Sequence, residues 1–140
     1  MRFNAQQRGP HFYVNAVIEC PQIQRPSVIT FLLDTGCSVT TLLPFDVMRL
    51  NIPWRSLAQD RPVGTGRGMA IPRILPNVTI RIPGNAGLFN HERVWIGNIF
   101  GRIHTMDPTF QCDPYSLLGM DFLLSFKKWK IHNTYVTLET

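Results

Sequence analysis

The chain has 140 residues, of which 44% are hydrophobic, and a formal net charge of +5. This length suits one domain with a modest core, and no stretch approaches the roughly 20 apolar residues that a membrane-spanning helix needs. The first ten residues are polar where a signal peptide would need an apolar run. We therefore expect a single domain over residues 1–140 that has no membrane partner and is cytoplasmic or is released from a larger precursor.

The basic charge is spread along the chain instead of forming a patch. Only Lys127, Lys128 and Lys130 cluster, and no nucleic-acid-binding motif accompanies them. Three cysteines lie far apart in the sequence, at Cys20, Cys37 and Cys112. Neither they nor the four dispersed histidines have the spacing of metal ligands. The sequence thus predicts free thiols, no metal, no cofactor and no nucleic-acid partner.

The first predicted elements lead to an acidic residue. Alternating apolar residues at 12–18 predict a strand with one buried face, and the β-branched and aromatic run at 28–33 predicts a strand buried on both faces. This second strand runs directly into Asp34. A further strand is predicted at 39–43, followed by a short helix over 44–50 with Pro44 in its first turn.

The remaining elements are short. Residues 63–70 contain three alternate glycines and predict a flexible hairpin, whereas 83–87 is a predicted turn. Residues 97–114 are loop-rich and cannot be placed, and 116–126 is apolar with a short helix after Gly119. Further strands are predicted at 71–75, 78–82, 93–96, 129–132 and 135–138, the last two as a terminal hairpin. Many short strands with two small helices predict a mostly β fold.

The sharpest motif is Asp34-Thr35-Gly36. An apolar strand that ends in a carboxylate places an acid where solvent is restricted, and the tight Thr-Gly loop has exposed amides that can hold it. Taken alone, an ordinary β-turn explains the tripeptide equally well.

Three motifs in a fixed order along the chain are more specific evidence than any one of them. They are Leu33-Asp34-Thr35-Gly36, then Val63-Gly64-Thr65-Gly66-Arg67-Gly68, then Leu117-Leu118-Gly119-Met120-Asp121-Phe122-Leu123. In this order the chain resembles the retropepsin-like aspartic peptidases, over nearly its whole length. The resemblance implies a small, closed, β-barrel-like acid protease fold with two short helices, and an endopeptidase that cuts beside hydrophobic residues.

The resemblance also implies roles for individual residues. Asp34 is then the catalytic acid and base, the Thr35 hydroxyl links two such loops, and the Gly36 amide steadies the carboxylate. The substrate-binding flap would consist of Gly64, Thr65, Gly66, Arg67 and Gly68. The glycines among them lack side chains and would let the backbone approach an extended peptide, whereas the alternative is a mobile hairpin without ligand contact.

One chain offers only one catalytic acid, because no second Asp-Thr-Gly or Asp-Ser-Gly occurs. Aspartic peptidases need two carboxylates that share a proton, so the second must come from another copy in a homodimer. Asp121 is interpreted as a helix-start residue. Ser38 and Met120 stand where retroviral members carry an ionic pair that braces the dimer, so the dimer is expected to be weaker or braced differently. The alternative functions are a non-catalytic dimerisation or peptide-binding module and, less favoured, nucleic-acid binding.

Two further expectations concern the dimer and the acid. The resemblance implies a dimer contact built from chain-terminal strands, and the strand at 135–138 would otherwise be an unprotected edge of a single copy. The thiol of Cys37 follows Gly36, where related enzymes carry a hydroxyl residue or an alanine. Since a thiol is a poor hydrogen-bond donor to Asp34, it predicts a mildly acidic pH optimum.

Overall fold

A computed structural model describes residues 2–65, 68–85, 92–97, 102–106, 108–109 and 114–139. The helical elements are α1 (Pro44–Arg49), α2 (Met120–Leu123) and a single 3-10 turn (Trp54–Ser56). The strands are β1 (Arg2–Asn4), β2 (Gln6–Arg8), β3 (His11–Glu19), β4 (Ser27–Leu33), β5 (Thr41–Leu42), β6 (Val63–Thr65), β7 (Gly68–Ala70), β8 (Arg73–Pro76), β9 (Thr79–Asn85), β10 (Glu92–Gly97), β11 (Arg102–Thr105), β12 (Ser116–Leu118), β13 (Lys128–Ile131) and β14 (Tyr135–Glu139).

The mostly β architecture with two short helices is confirmed, and three local predictions are corrected. The strand expected over 39–43 is only β5, because Val39 and Thr40 belong to the loop that follows Asp34. The turn expected at 83–87 is wrong at its start, since β9 continues through Asn85, and its last two residues lie outside the described part. The segment that could not be placed contains β11.

Most strands join one mixed sheet in the order β13-β14-β1-β9-β3-β4-β12-β5-β11-β8, with β10 added to β9 and β2 to β3. Strands β6 and β7 form a separate hairpin. No pairing among the described strands joins β13 to β8, so the closed barrel is not confirmed. The expectation of a free edge at 135–138 is wrong, because β14 pairs with both β13 and β1.

The core lies on one face of the β3–β4 pair. Side chains of a strand alternate between faces, and those at Ile29, Phe31 and Leu33 are buried whereas Thr30 and Leu32 are only half-buried. Val28 is 57% exposed. The prediction that this strand is buried on both faces is therefore wrong, and its second face borders the surface that carries Asp34.

Helix α1 begins where the sequence predicted. Pro44 occupies the first turn, where its fixed φ suits a helix and its missing N–H has no intrahelical partner to lose. Asp46 and Val47 point inward and are buried, whereas Phe45 and Met48 are exposed. The helix thus has one narrow buried face, as its short length requires.

Candidate active site

The loop at Asp34 is held by backbone hydrogen bonds at its start. The Asp34 amide donates to the Leu118 carbonyl over 3.0 Å, which continues the parallel pairing of β4 with β12. The Gly36 amide donates to Asp34 Oδ1 over 2.8 Å, and the Cys37 amide donates to the Asp34 carbonyl over 3.3 Å. Asp34 is half-buried, while Thr35 and Gly36 are exposed. The geometry therefore presents a hydrogen-bonded carboxylate at the surface, where another molecule can reach it.

The start of α2 braces this loop from behind. The Met120 amide donates to the Cys37 carbonyl over 2.7 Å, and the Asp121 amide donates to the Ser38 carbonyl over 3.2 Å. Gly119 lies so close to the loop that a Cβ there would stand 2.8 Å from the Cys37 carbonyl oxygen and 2.9 Å from the Val39 carbonyl carbon. Only glycine permits this approach, which explains the Leu-Leu-Gly segment in physical terms.

The Asp121 carboxylate is fully engaged in structure. It accepts hydrogen bonds of 2.9 Å from the Thr40 amide, the Thr40 hydroxyl and the Phe122 amide. Thr40 is buried, and its hydroxyl oxygen accepts in turn from the Gly119 amide over 3.1 Å. Asp121 thus joins the helix start to the loop, and its lone pairs are occupied by fixed donors. These contacts favour the helix-start interpretation, and they extend it with a tether to Thr40 that local sequence patterns did not reveal.

The Cys37 thiol does not point at the Asp34 carboxylate. Its Sγ lies 3.0 Å from the Val39 carbonyl oxygen and 3.9 Å from the Thr41 hydroxyl. Burial raises the pKa of the Cys37 thiol, and the nearby charges of Asp34 and Asp121 act in the same direction. The Cys37 side chain thus has partners other than Asp34, which counts against the expectation that residue 37 acts on Asp34 by hydrogen bonding.

The structural role of a second acidic residue, Asp46, was not predicted from the sequence. Asp46 on α1 is 4% exposed, and its Oδ2 accepts from the Ser116 hydroxyl over 2.6 Å while Arg49 contacts its Oδ1 at 2.9 Å. The Ser116 hydroxyl also accepts from the Leu43 amide over 3.0 Å. This network joins α1 to β12, beside the strand end that supports Asp34. The clue to this network in the sequence was Ser116, a serine at the start of an otherwise apolar strand.

The glycine-rich segment folds as the predicted hairpin. Thr65 pairs with Gly68, whose φ of +105° suits glycine, and the Thr65 hydroxyl donates to the Gly68 carbonyl over 2.7 Å. Gly64 is exposed. Gly66 and Arg67 lie outside the described residues. At its base, Val63 and Ala70 pack with Leu43, Met106 and Leu117, so the hairpin adjoins the strand beneath the Asp34 loop.

The hairpin carries a register shift at its base. Gln59 pairs with Arg73, and Val63 pairs with Ala70. Three residues separate Gln59 from Val63, whereas two separate Ala70 from Arg73. The extra residue makes a bulge, and prolines at 62 and 72 lie within it. Within the bulge, Asp60 Oδ2 lies 2.7 Å from His104 Nε2 on β11, which anchors this part of the hairpin to the sheet.

Among the described residues, no group of three or more histidine, cysteine, aspartate or glutamate side chains has an arrangement that would hold a metal ion. None of the described helices combines the length and the apolar character that crossing a membrane requires.

Comparison with known proteins gives one family and one fold. Residues 24–122 match the family model described as aspartyl protease. The chain is also similar to a retropepsin-like aspartic protease from Rickettsia conorii, with 24% sequence identity, a TM-score of 0.62 and coverage of 97% of each chain. No curated protein sequence is significantly similar to the chain. The matched region includes Asp34, α1, the glycine-rich hairpin and all of α2 except Leu123.

Proposed function

Because this chain belongs to the aspartyl protease family, we propose that it forms an endopeptidase domain over residues 1–140 in which two copies share one active site. One observation carries the proposal. The Asp34 carboxylate lies at the surface end of a braced loop, and within the described part of the chain the amide of Gly36 is its one hydrogen-bond donor.

The second carboxylate has to come from another copy. Asp121 accepts from three fixed donors and Asp46 is buried in its own network, so neither is available to pair with Asp34. A two-fold axis beside the loop brings Asp34 of each copy together. Thr35 is suited to this contact, since its side chain is exposed and its hydroxyl has no partner in the described part of the chain.

The paired carboxylates supply the chemistry of peptide hydrolysis. Two such groups in contact cannot both ionise, so one Asp34 is charged and the other protonated. The charged group takes a proton from water as the oxygen attacks the peptide carbonyl carbon, and the protonated group donates to the carbonyl oxygen. The first Asp34 then gives the proton taken from water to the peptide nitrogen, while the second takes a proton back from a hydroxyl of the tetrahedral intermediate. The C–N bond breaks and releases a carboxylic acid and an amine. The Gly36 amide holds the charged Asp34 in position.

The β6–β7 hairpin serves as the flap in this proposal. Gly64, Thr65 and Gly68 present backbone groups that can hydrogen-bond an extended peptide between the hairpin and the two Asp34 side chains. Gly66 and Arg67, which were also predicted as flap residues, lie outside the described residues. The packing of Val63 and Leu117 against the cluster of Leu43, Ala70 and Met106 supports this position.

Cleavage of an unstructured protein tests the proposal. Asp34→Asn should abolish cleavage and leave the thermal unfolding midpoint close to that of the parent, because the side chain is half-buried and its contact with Gly36 can be kept. Glu139→Gln is the matched control, since it also replaces a carboxylate by an amide, at an exposed surface position. Equal cleavage by the parent and the Asp34→Asn protein would reject the enzyme and leave the non-catalytic binding module.

A mixing experiment tests the shared site separately. When equal amounts of the parent and the Asp34→Asn protein exchange subunits, about a quarter of the dimers contain two intact copies, and activity should fall to about a quarter of that of an all-parent sample. If each chain worked alone, half of the activity would remain. A value of one half would therefore contradict the two-copy site even if the protein cleaves peptides.

A further inference from the structure

An arginine and two tyrosines form a cluster on the sheet that carries Asp34. The Arg8 guanidinium donates to the Tyr115 hydroxyl and to Gln6 Oε1, each over 2.8 Å. It also lies 5.1 Å from the centroid of the Tyr13 ring and 5.9 Å from that of the Tyr115 ring. The two ring centroids are 4.7 Å apart. Although Arg8 is exposed, these contacts fix its side chain in one orientation.

The strand register places this cluster on the same face as the catalytic acid. Tyr13 is opposite Leu32, and Leu117 is opposite Leu32 on the other side. Alternate residues of a strand share a face, and Asp34 follows Leu32 by two residues. Tyr115, which precedes β12, is brought to this face by the contact of its ring with Tyr13 and of its hydroxyl with Arg8. Leu32 and Leu117 are half-buried and form an apolar floor between the tyrosines and the acid.

The same register gives the distance to Asp34. Arg8 is opposite His11 in the β2–β3 pair. Continuing the β3–β4 register by two residues puts His11 opposite Asp34. Neighbouring strands are about 4.8 Å apart, so the Arg8 backbone is about 10 Å from the Asp34 backbone. An extended peptide covers that distance in about three residues.

The charge of Arg8 has no acidic partner in the described part of the chain. The ion pairs found there join Arg49 to Asp46, Arg81 to Glu19, His104 to Asp60 and Lys128 to Glu139. Arg8 instead contacts neutral groups, and these leave further N–H groups of the guanidinium free to donate. A planar guanidinium in fixed orientation matches a carboxylate, which it binds through two parallel hydrogen bonds.

We propose that Arg8, oriented by Tyr13 and Tyr115, forms a subsite for an acidic side chain of the substrate within about three residues of the cleaved bond. The inference rests on the proposed peptidase function and adds a substrate class to it. The apolar floor at Leu32 and Leu117 accepts the hydrophobic residue next to the cut, and Arg8 selects glutamate or aspartate farther along the peptide.

Paired peptides test the subsite. Each pair is based on a sequence that the parent cleaves and carries Glu or Gln at one of the three positions on either side of the cut. At one of these positions the ratio of kcat/KM for Glu over Gln should be about tenfold, as expected for a charge-assisted hydrogen-bonded pair. The ratio should shrink in high salt because the subsite is exposed. Arg8→Gln should bring it near one, and Tyr115→Phe should lower it in part.

A matched control and a binding measurement separate the possible failures. Arg55→Gln removes another exposed arginine that stacks on an aromatic ring, 4.5 Å from the centroid of Trp54, and should keep the tenfold ratio. Binding of the same peptides to the Asp34→Asn protein should show the same Glu preference. If the parent cleaves no peptide but this binding preference persists, the enzyme proposal fails and the subsite stands.

Three results would overturn the subsite. The first is a ratio near one for the parent at every position, and the second is an unchanged ratio in Arg8→Gln. The third is sedimentation showing that Arg8→Gln has become monomeric while the parent shows no Glu preference in binding. In that case, the carboxylate that Arg8 pairs with belongs to the second copy of the chain.

Discussion

Gly119 offers the strictest test of how the candidate site is braced, through the substitution Gly119→Ala. Its φ of −92° is open to alanine, so the effect of the change is steric. The added Cβ would stand 2.8 Å from the Cys37 carbonyl oxygen and 3.0 Å from the Thr40 amide nitrogen, closer than real Cβ contacts. These atoms are backbone and cannot rotate away, so α2 and the Asp34 loop must separate by several tenths of an ångström.

The size of the effect follows from these contacts. Overpacking of this kind costs about 1–3 kcal/mol. Separation also lengthens the hydrogen bonds from Met120 to Cys37 and from Gly119 to Thr40, now 2.7 and 3.1 Å, each worth about 1 kcal/mol. We expect a loss of about 3 kcal/mol in the free energy of unfolding, which lowers the thermal midpoint by about 6–12 °C in a domain of this size.

Chemical denaturation monitored by tryptophan fluorescence measures this loss. Gly64→Ala is the matched control, because the nearest atom to a Cβ there is Met69 Sδ at 3.8 Å, an ordinary contact. The control should stay within about 0.5 kcal/mol of the parent. If Gly119→Ala is as stable as Gly64→Ala, the close approach of α2 does not constrain the loop and the reasoning is refuted.

Three other predictions concern groups around the loop. Asp46→Ala should lower the free energy of unfolding by about 1–3 kcal/mol, because it leaves the buried Ser116 hydroxyl without its acceptor; an unchanged denaturation midpoint would count against this network. Asp121→Ala should lower the free energy of unfolding by a similar amount and should also lower kcat, because Thr40 loses its hydrogen bonds to α2. A parent-like free energy of unfolding together with a parent-like kcat would contradict this prediction. Burial raises the pKa of the Cys37 thiol above 9.0, so its contribution to stability is complete below that value and is lost as the pH rises through the folded-state value. Thermal midpoints measured from about pH 8 to 10 should fall more steeply for the parent than for Cys37→Ala, and parallel curves would reject the assignment.

The sequence predicted best those features that depend on local pattern. The alternation at 12–18, the proline at the start of α1 and the alternate glycines at 63–70 each determine their own element, and all three elements are present. The terminal strands also pair as predicted, with Trp129 opposite Leu138. The Asp-Thr-Gly motif was recognisable because it directly follows an apolar strand.

Features that depend on contacts between distant segments were missed. The partners of Asp121 and Asp46 lie 81 and 70 residues away in the chain, respectively, and no local pattern specifies such pairs. The neighbours of β14 are likewise set by the folded sheet, so its edge status was predicted wrongly. Deleting residues 133–140 would remove the buried Val136 and Leu138 from the core and unfold a single copy. Loss of the dimer after this deletion would therefore not show that the deleted residues form the dimer contact.

The bulge at the base of the β6–β7 hairpin gives the molecule a pivot. Proline lacks an N–H group, so neither 62 nor 72 donates to the ladder, whereas the Pro72 carbonyl accepts from the Asp60 amide over 2.9 Å on the Gln59–Arg73 side of the bulge. The pairs on either side, Gln59 with Arg73 and Val63 with Ala70, can each stay intact while the angle between them changes. From the pivot, Thr65 lies about 10 Å along the strand, so a rotation of about 20° carries it about 3–4 Å. In the proposed peptidase, such a rotation would move Thr65 relative to Asp34 and leave the large sheet unchanged, because β6 and β7 form a sheet of their own.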